Sequence, residues 1–186
     1  NIRETDAIIH VLRCFNDENI VHVHGNINPT RDKETIDIEL QLKDLEVLEK
    51  KRDKYQKIAK SENKEAAKIV HVINKYIDHL ESGYSVRSLN VIENESQIIN
   101  KLSLLTAKPI LYVCNVDESA VKNGNKYVNQ VRKSIKDEDA EILLIATSIE
   151  AEIAGLDDLE EQQLFLSEME LEKPGVHHLI QSTYRL

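Results

Sequence analysis

The sequence predicts an α/β protein in which a three-stranded parallel half-sheet carries an inserted antiparallel helical hairpin of coiled-coil type. Three short apolar runs, at residues 6–14, 109–114 and 141–146, have the length of strands and the continuous apolar character of a buried parallel sheet. About half of the chain separates the first two runs, and there apolar residues recur three and four positions apart amid dense charge. That spacing is typical of helices, so the long insertion is predicted to be helical.

The segment between the second and third strands completes a βαβ unit. Residues 122–136 carry two valines and an isoleucine at helical spacing. A right-handed crossover is therefore expected between the two parallel strands. From residue 150 onward the spacing is helical again, the Pro-Gly pair at 174–175 breaks it, and a last helix is predicted over 176–186.

Two apolar stripes define the predicted hairpin. The first lies within residues 32–59 and the second within residues 66–80, with a polar connection at 60–64. Such stripes on two helices joined by a short turn favour an antiparallel coiled coil. The alternative is a pair of ordinary helices packed on a globular core. The stripe positions are Ile38, Leu45, Leu48, Tyr55, Ala59, Ala66, Val70, Ile73, Ile77 and Leu80.

Composition narrows the functional classes. The 186 residues carry a formal net charge of −9, with 31% charged and 4% aromatic residues. This balance argues against a protein that coats nucleic acid along its whole surface. No apolar stretch is long enough to span a membrane, and Cys14 and Cys114 both lie in apolar runs, as small buried residues of a reducing compartment do. We therefore expect a cytoplasmic protein with no membrane partner.

The insertion departs from this acidic balance. Between residues 43 and 75 there are ten Lys or Arg and six Asp or Glu residues. A charged stretch of this kind is often a solvated helix face. It also suits a basic arm that meets an acidic partner, with RNA as the obvious candidate. The candidate contact residues are Lys50, Lys51, Lys54, Lys57, Lys60 and Lys64.

The tetrapeptide Asn-Val-Asp-Glu at 115–118 directly follows the second predicted strand. A strand that ends in Asn-x-x-carboxylate is how P-loop GTPases read a purine base. Here the Asn115 amide can face the purine N7, and the Glu118 carboxylate can accept hydrogen bonds from the base. Glu118 is one methylene longer than the usual Asp, which should disturb guanine recognition because a paired contact tolerates little displacement. The alternative is ordinary turn chemistry after a strand.

Phosphate and metal motifs are absent from the sequence. It has no Gly-x-x-x-x-Gly-Lys-Ser/Thr loop and no Asp-x-x-Gly. His22 and His24 have no Cys or acid at metal-site spacing, and the adjacent His177 and His178 cannot easily share one ion. The sequence therefore predicts no catalytic residue and no metal ligand in this chain.

Several segments carry a resemblance to a known family. They are NIRETDAIIHVLRCF at 1–15, HVHGNINPTRDKETIDIEL at 22–40, KPILYVCNVDE at 108–118 and IATSIEAE at 145–152, followed by the stretch 174–186. In order and over the whole chain, they resemble the YchF-type Obg-like ATPases, a subgroup of P-loop NTPases. The resemblance implies a partial, Rossmann-like P-loop NTPase fold. Residues 1–30 and 106–186 would form the second half of the nucleotide-binding G domain, and residues 31–105 would form its helical insert.

The resemblance also implies a site, a cofactor and partners. The expected base site consists of Asn115, Val116, Glu118, Ala146, Thr147 and Ser148, the last three contributing chiefly through their backbone. The family binds ATP, or both ATP and GTP, with Mg²⁺, and it acts at the ribosome. Its P-loop, magnesium ligands and TGS domain correspond to sequence outside this chain, so we expect an internal fragment.

Two functional hypotheses follow. In the first, the intact protein is an ATP/GTP hydrolase bound to the ribosome or its RNA, while this fragment has no NTPase activity and holds no cofactor. The alternative is a non-enzymatic binding module whose basic hairpin docks on RNA or protein. In either case we expect the fragment to self-associate, because the strand at 6–14 would lack a neighbour and expose an apolar edge near Ile8, Ile9 and Val11.

Overall fold

A computed structural model describes residues 2–17, 25–90 and 93–186, with the side chains of residues 93 and 94 excepted. The predictions for His22 and His24 lie outside these residues. The chain divides into two compact units: Asn1–Ile8 with Glu34–Pro109, and Ile9–Lys33 with Ile110–Leu186. In the part of the chain that is described, no helix is both long and apolar enough to cross a membrane. The domain division expected from the sequence stays a prediction.

Three strands form one sheet in the order β1-β2-β3. They are β1 (Ile8–Arg13), β2 (Ile110–Asn115) and β3 (Glu141–Ile145). Strand β2 pairs with β3 in parallel, with Asn115 opposite Ile145. Between β1 and β2, the Ile8 amide donates to the Pro109 carbonyl at 3.0 Å and the Cys14 amide donates to the Asn115 carbonyl at 2.7 Å. The equal steps along both strands make this pairing parallel too, so the predicted three-stranded parallel sheet is confirmed.

Burial separates the central strand from its neighbours. The first five residues of β2 are all buried, as predicted for a central parallel strand. Strand β1 alternates instead: Ile8 and Leu12 are buried, whereas Ile9 is 42% exposed and Val11 is 60% exposed. Strand β1 is therefore less buried than the largely buried strand that the sequence predicts. The reason is its position at the edge, where one face of the strand is left uncovered by the described residues.

Helices follow β2 and β3, as predicted. Helix α4 (Lys126–Ser134) makes the crossover, starts at the side-chain cap of Asn125 and buries Val128 and Val131 completely. After β3, the predicted continuous helical stretch is two helices, α5 (Thr147–Ala154) and α6 (Leu159–Glu168). Gly155 ends α5, and the Asp158 side chain accepts a hydrogen bond from the Glu160 amide to start α6.

The last helix, α7 (Gly175–Thr183), packs on β3. Leu179 joins an apolar cluster with Leu143 and Ile145, and the Ser182 hydroxyl donates to the Glu141 carboxylate at 2.9 Å. At its start, the Glu150 carboxylate accepts hydrogen bonds from the first two backbone amides of the helix, at 2.6 Å and 3.1 Å. A carboxylate at this end satisfies otherwise unpaired N–H groups.

The other unit is built on two long helices and a shorter one. They are α1 (Pro29–Ala59), whose first turn belongs to the sheet unit, α2 (Lys64–Glu81) and α3 (Glu93–Asn100). Residues 60–63 join α1 to α2, and Asn63 caps α2 by accepting from the Ala66 amide. Further back on α1, Gln41 donates to the carbonyl of Gly83, just beyond the end of α2, at 3.1 Å. The two helices therefore run antiparallel, as predicted.

The core of this unit draws on more than the predicted stripes. The second stripe is buried at four of its five positions, but Ile38 of the first is 55% exposed, so its predicted inside position was wrong. Most of α1 before Leu45 has no apolar partner in this cluster, whereas Leu48 is fully buried. The cluster also includes residues from beyond the hairpin, which the sequence analysis did not assign: Val86, Ile99, Leu102 and Leu104. The alternative of helices packed on a globular core describes these contacts, and the coiled-coil character stays a prediction.

A buried carboxylate fastens α1 to the turn that precedes β2. Asp44 has no exposed surface and accepts hydrogen bonds from the amides of Leu105 and Thr106 at 2.8 Å and 2.7 Å. The Thr106 hydroxyl donates to the same carboxylate at 2.9 Å, and Arg3 lies 3.3 Å away. These bonds compensate the cost of removing the charge from water.

Candidate nucleotide-base site

An open cleft of about 710 Å³ lies where β1 and β2 end. Its walls come from the residues just after β1, from the tetrapeptide after β2 and from the first turn of α5. Parallel strands present their carboxyl ends at one edge of a sheet, so loops that are far apart in sequence meet there. The lining residues are Phe15, Asn16, Asp17, Asn115, Val116, Asp117, Glu118, Ser119, Thr147 and Ser148.

Both oxygen atoms of Asn115, Oδ1 and the backbone carbonyl, accept hydrogen bonds from other residues of the chain. Its side-chain Oδ1 accepts a hydrogen bond from the Thr147 amide at 3.2 Å, and its backbone carbonyl accepts from Cys14. Within the described residues, its Nδ2 makes no hydrogen bond, so both N–H groups can donate to a ligand. This orientation suits the acceptor N7 of a purine.

Val116 and Glu118, the two residues predicted to contact the base after Asn115, differ in exposure. Val116 is 3% exposed, and its amide donates to the Ile145 carbonyl at 2.9 Å, which fixes the backbone of the motif against β3. Glu118 is exposed at the start of a short 3₁₀ helix, Glu118–Ala120. Its carboxylate has no hydrogen bond or ion pair with the residues that the structure describes, whereas the neighbouring Asp117 accepts from Ser119. Glu118 is therefore the carboxylate of this motif that remains available to a ligand.

The first turn of α5 closes the cleft from the other side. Thr147 and Ser148 are exposed and line it, while Ala146 is 1% exposed and supports them from below without lining the cleft. The Thr147 amide is already used by Asn115, so it orients the site instead of binding a ligand directly. The sequence-predicted residues thus come together at one cleft, with Ala146 behind its surface.

The wall of the cleft that follows β1 was not predicted from the sequence. Phe15 supplies the aromatic ring of the cleft, and Asn16 and Asp17 follow it. Arg13 holds this turn, because its Nε donates to the Phe15 carbonyl at 3.3 Å and its Nη2 donates to the Asp17 carbonyl at 3.1 Å. The available sequence signal was an aromatic residue, Phe15, directly after a predicted strand. Assigning Phe15 to the cleft also requires knowing that β1 lies beside β2.

Two thiols lie beneath the ends of the same strands. Cys14 and Cys114 are free and fully buried. Hydrogen bonding to the neighbouring Cys114 thiol, together with burial, raises the pKa of the Cys14 thiol above its ordinary value. Cys14 is therefore a neutral, unreactive thiol, consistent with the predicted role of a small buried residue. Among the described residues, no group of three or more His, Cys, Asp or Glu side chains could hold a metal ion.

The predicted contact lysines lie around the end of the hairpin. They occupy the last turns of α1, the connection and the first residue of α2, and every one of them is exposed. None forms an ion pair with another residue in the described ranges. We call this set the basic arm: Lys50, Lys51, Lys54, Lys57, Lys60 and Lys64.

Curated proteins and a solved structure are similar to this chain over 98–100% of its length. No family model matches the chain. The ribosome-binding ATPase YchF of Bacillus subtilis is 41% identical over 188 residues, and that of Haemophilus influenzae is 42% identical over 186 residues. Each alignment covers 100% of this chain and 51% of the relative. The solved structure of the Schizosaccharomyces pombe YchF GTPase is similar with a TM-score of 0.84 and 30% identity, over 98% of this chain and 50% of that one.

The similar proteins are all named YchF, and each match covers almost all of this chain and about half of the other protein. The chain spans about half the length of the curated relatives it matches. The similar structure likewise extends well beyond the matched part. The resemblance to the YchF-type Obg-like ATPases is therefore confirmed, and it extends over the whole of this chain.

Proposed function

We propose that this chain is part of a ribosome-associated protein that binds and hydrolyses ATP or GTP, and that its cleft holds the purine base. The observation that carries the proposal is the orientation of Asn115, whose Oδ1 is held by the Thr147 amide while Nδ2 is left to donate. Similar proteins are named ribosome-binding ATPases, and a similar structure is named a GTPase.

The proposed base contacts come from three side chains. Nδ2 of Asn115 donates to the purine N7, and the Phe15 ring offers a stacking surface. Glu118 reaches the edge of the base with a carboxylate that is one methylene further out than an Asp would be. Guanine presents two donors to a carboxylate there and adenine does not, so displacement weakens guanine binding more than adenine binding.

We assign no residue of this chain to the phosphates or to Mg²⁺. Phosphoryl transfer requires positioned phosphates and a metal ion that neutralises charge developing on them. By the family resemblance, we propose that other parts of the intact protein supply those residues, so ATP or GTP with Mg²⁺ is proposed for the intact protein only. The fragment is accordingly proposed to lack NTPase activity. Phosphate release above a buffer blank, from a preparation free of longer protein, would contradict this.

The ribosome is the proposed partner of the basic arm, which sets the site of action in the cytoplasm. We retain the proposed division into a G-domain half at 1–30 and 106–186 and an insert at 31–105. A second candidate function is supported by the same exposed, unpaired lysines: a binding module that docks on RNA or protein and uses no nucleotide. Loss of nucleotide binding would impair the action of the protein under the first proposal and would leave it unaffected under the second.

The test of the base site is Asn115→Asp in the intact protein. The carboxylate can still accept from the Thr147 amide, but it presents an acceptor to N7 where an amide donor stood. We expect the Kd for ATP, measured by equilibrium dialysis, to rise at least about tenfold, which corresponds to about 1.4 kcal/mol. The matched control is Asn129→Asp on the exposed face of α4. Equal Kd values for the two variants would reject the proposed base site.

A further inference from the structure

A second concave site, distinct from the base cleft, lies within the helical unit. It has a volume of about 420 Å³ and is formed by α1, α2 and α3 with the turn after α3. Three lysines, from α1, α2 and the turn after α3, stand around it with a tyrosine and a single glutamate. We call it the hairpin pocket, and its lining residues are Lys51, Tyr55, Glu65, Lys68, Ile69, Gln97, Ile98, Lys101 and Leu102.

The floor of the hairpin pocket is part of the unit's core. Leu102 is 9% exposed and belongs to the buried cluster, against which Tyr55, Ile69 and Ile98 pack while remaining partly exposed. A floor that is continuous with a packed core is rigid, so its shape does not depend on a ligand. The aromatic ring of Tyr55 is thus held in place at the edge of an open, apolar surface.

The rim of the hairpin pocket is cationic. Lys51, Lys68 and Lys101 are all exposed, and none is in an ion pair with a residue of the described chain. By contrast, Lys75 on the same α2 helix is neutralised by Glu95 at 2.8 Å. Three unpaired ammonium groups around an apolar, aromatic floor are complementary to a ligand that is both planar and anionic.

We propose that the hairpin pocket binds one unstacked nucleotide of single-stranded RNA, with the base against Tyr55 and the flanking phosphates near Lys51, Lys68 and Lys101. Unpaired RNA is recognised by stacking splayed bases on aromatic side chains while cations follow the backbone. A concavity of about 420 Å³ admits one nucleotide and excludes a duplex. An acidic peptide would satisfy the lysines but would not use the partly exposed ring of Tyr55. The inference rests on the proposed ribosome partner and names its chemistry: an unpaired stretch of RNA.

The test is fluorescence anisotropy with labelled RNA octamers and the full 186-residue chain, over a series of salt concentrations. The pocket variant replaces Lys51, Lys68 and Lys101 with Gln, and the matched control replaces Lys50, Lys54 and Lys57, which do not line the pocket. Tyr55→Leu removes the ring and keeps an apolar side chain on the core, whereas Tyr55→Phe keeps the ring. Circular dichroism checks that each variant is folded.

We expect Tyr55→Leu to weaken binding of the octamer by about tenfold and Tyr55→Phe to leave it unchanged, since stacking needs only the ring. The pocket variant should lower the slope of log K against log salt by about 2, because each lost phosphate contact removes about 0.7. The control variant should lower it less. Equal behaviour of the two lysine variants, or full binding by Tyr55→Leu, would overturn the proposal.

Three further outcomes separate the alternatives. A blunt RNA duplex or an acidic peptide that competes as well as the octamer would overturn the assignment to unpaired RNA. Free AMP that binds as tightly as the octamer would instead make the hairpin pocket a second nucleotide site. If a variant fails to fold, methyl NMR of Ile69, Ile98 and Leu102 in the unmodified chain decides: ring-current shifts on adding RNA support the proposal, and their absence rejects it.

The same measurements distinguish this proposal from the proposed function. Pelleting with ribosomes reports the partner, and octamer binding reports the hairpin pocket. If the chain binds ribosomes and the pocket variant does so equally well, the partner stands and the pocket proposal fails. If the octamer binds in the pocket but ribosomes do not, the pocket proposal stands and the partner fails.

Discussion

The guanidinium carbon of Arg13 lies 4.8 Å from the centroid of the Phe15 ring. Arg13 also donates to two carbonyl oxygens of the turn that follows β1, those of Phe15 and Asp17. One side of the ring is thus held by a cation while the residue lines the base cleft. The side chain that offers a stacking surface is positioned before any ligand arrives, which reduces the entropy cost of binding.

Arg13→Lys should therefore weaken nucleotide binding by the intact protein. Lysine keeps the charge but cannot make the two separated N–H contacts or stack a planar group on the ring. We expect the Kd for ATP to rise by about tenfold, as for loss of one organised contact. The matched control is Arg132→Lys, an exposed arginine on α4. An unchanged Kd for Arg13→Lys would mean that the turn keeps its conformation without the guanidinium.

Glu118→Asp should shift preference toward GTP. Shortening the side chain moves the carboxylate back by one methylene, toward the place where both guanine donors can reach it. The expected gain in discrimination is about 1–2 kcal/mol in favour of GTP. Competition between ATP and GTP measures it, with the exposed Glu152→Asp as control. An unchanged ratio would indicate that Val116, where GTPases of this motif carry Lys, decides the preference instead.

Elements of the fold could be predicted wherever the pattern that identifies them lies within a short stretch of sequence. All three strands were found because apolar runs of strand length are visible in the sequence, and β2 and β3 match their predicted bounds within a residue. The Asn-Val-Asp-Glu motif was found for a similar reason: its residues follow one strand directly. Their meeting with the loop at 146–148 follows from parallel pairing of adjacent strands.

What escaped prediction depends on contacts distant in sequence. The Phe15 wall needs the sheet order, which the apolar runs do not encode. Ile38 satisfies the helical spacing but is left exposed by the described residues. Helical spacing shows which face of a helix is apolar, and it does not show where a neighbouring element covers that face. Leu102 and Leu104 lie in a stretch without periodicity, and only tertiary packing places them in the core.

Charge reversal of the basic arm should weaken ribosome association. Replacing Lys50, Lys51, Lys54 and Lys57 with Glu is expected to raise the apparent Kd at least tenfold and to flatten its salt dependence, since each lysine contributes to counterion release. Because these residues are exposed, the thermal midpoint should change little.

The control for this variant reverses the same number of exposed lysines elsewhere. Lys126, Lys133, Lys136 and Lys173 lie in the sheet unit and give an equal change in net charge. Sedimentation with ribosomes at several salt concentrations compares the two. If both variants bind as the unmodified protein does, the arm is a solvated face and a spacer.

Asp44→Ala should destabilise the helical unit. The substitution leaves the amides of Leu105 and Thr106 buried without their acceptor and removes one of the partners of Arg3. The expected loss is about 3–5 kcal/mol in the free energy of unfolding, as for breaking a buried, hydrogen-bonded charge. Urea denaturation followed by circular dichroism measures it. Asp53→Ala on the exposed face of α1 should change stability by no more than about 0.5 kcal/mol.

Self-association of this chain should occur through β1. Among the described strands, β1 lies at the edge of the sheet, and Ile9 and Val11 project from one face with 42% and 60% exposure, whereas Ile8, predicted to be exposed with them, is buried. Apolar residues beside an unpaired strand edge favour pairing with a second copy. Light scattering over a range of concentrations should show a rising mass, and Ile9→Lys with Val11→Lys should restore a monomer. Val176→Lys with Ile180→Lys on α7 is the control, because these residues are also exposed but lie on a helix. If the unmodified chain is a monomer, the prediction is wrong. If only the α7 substitutions produce a monomer, the contact between copies involves α7 and not the edge of β1.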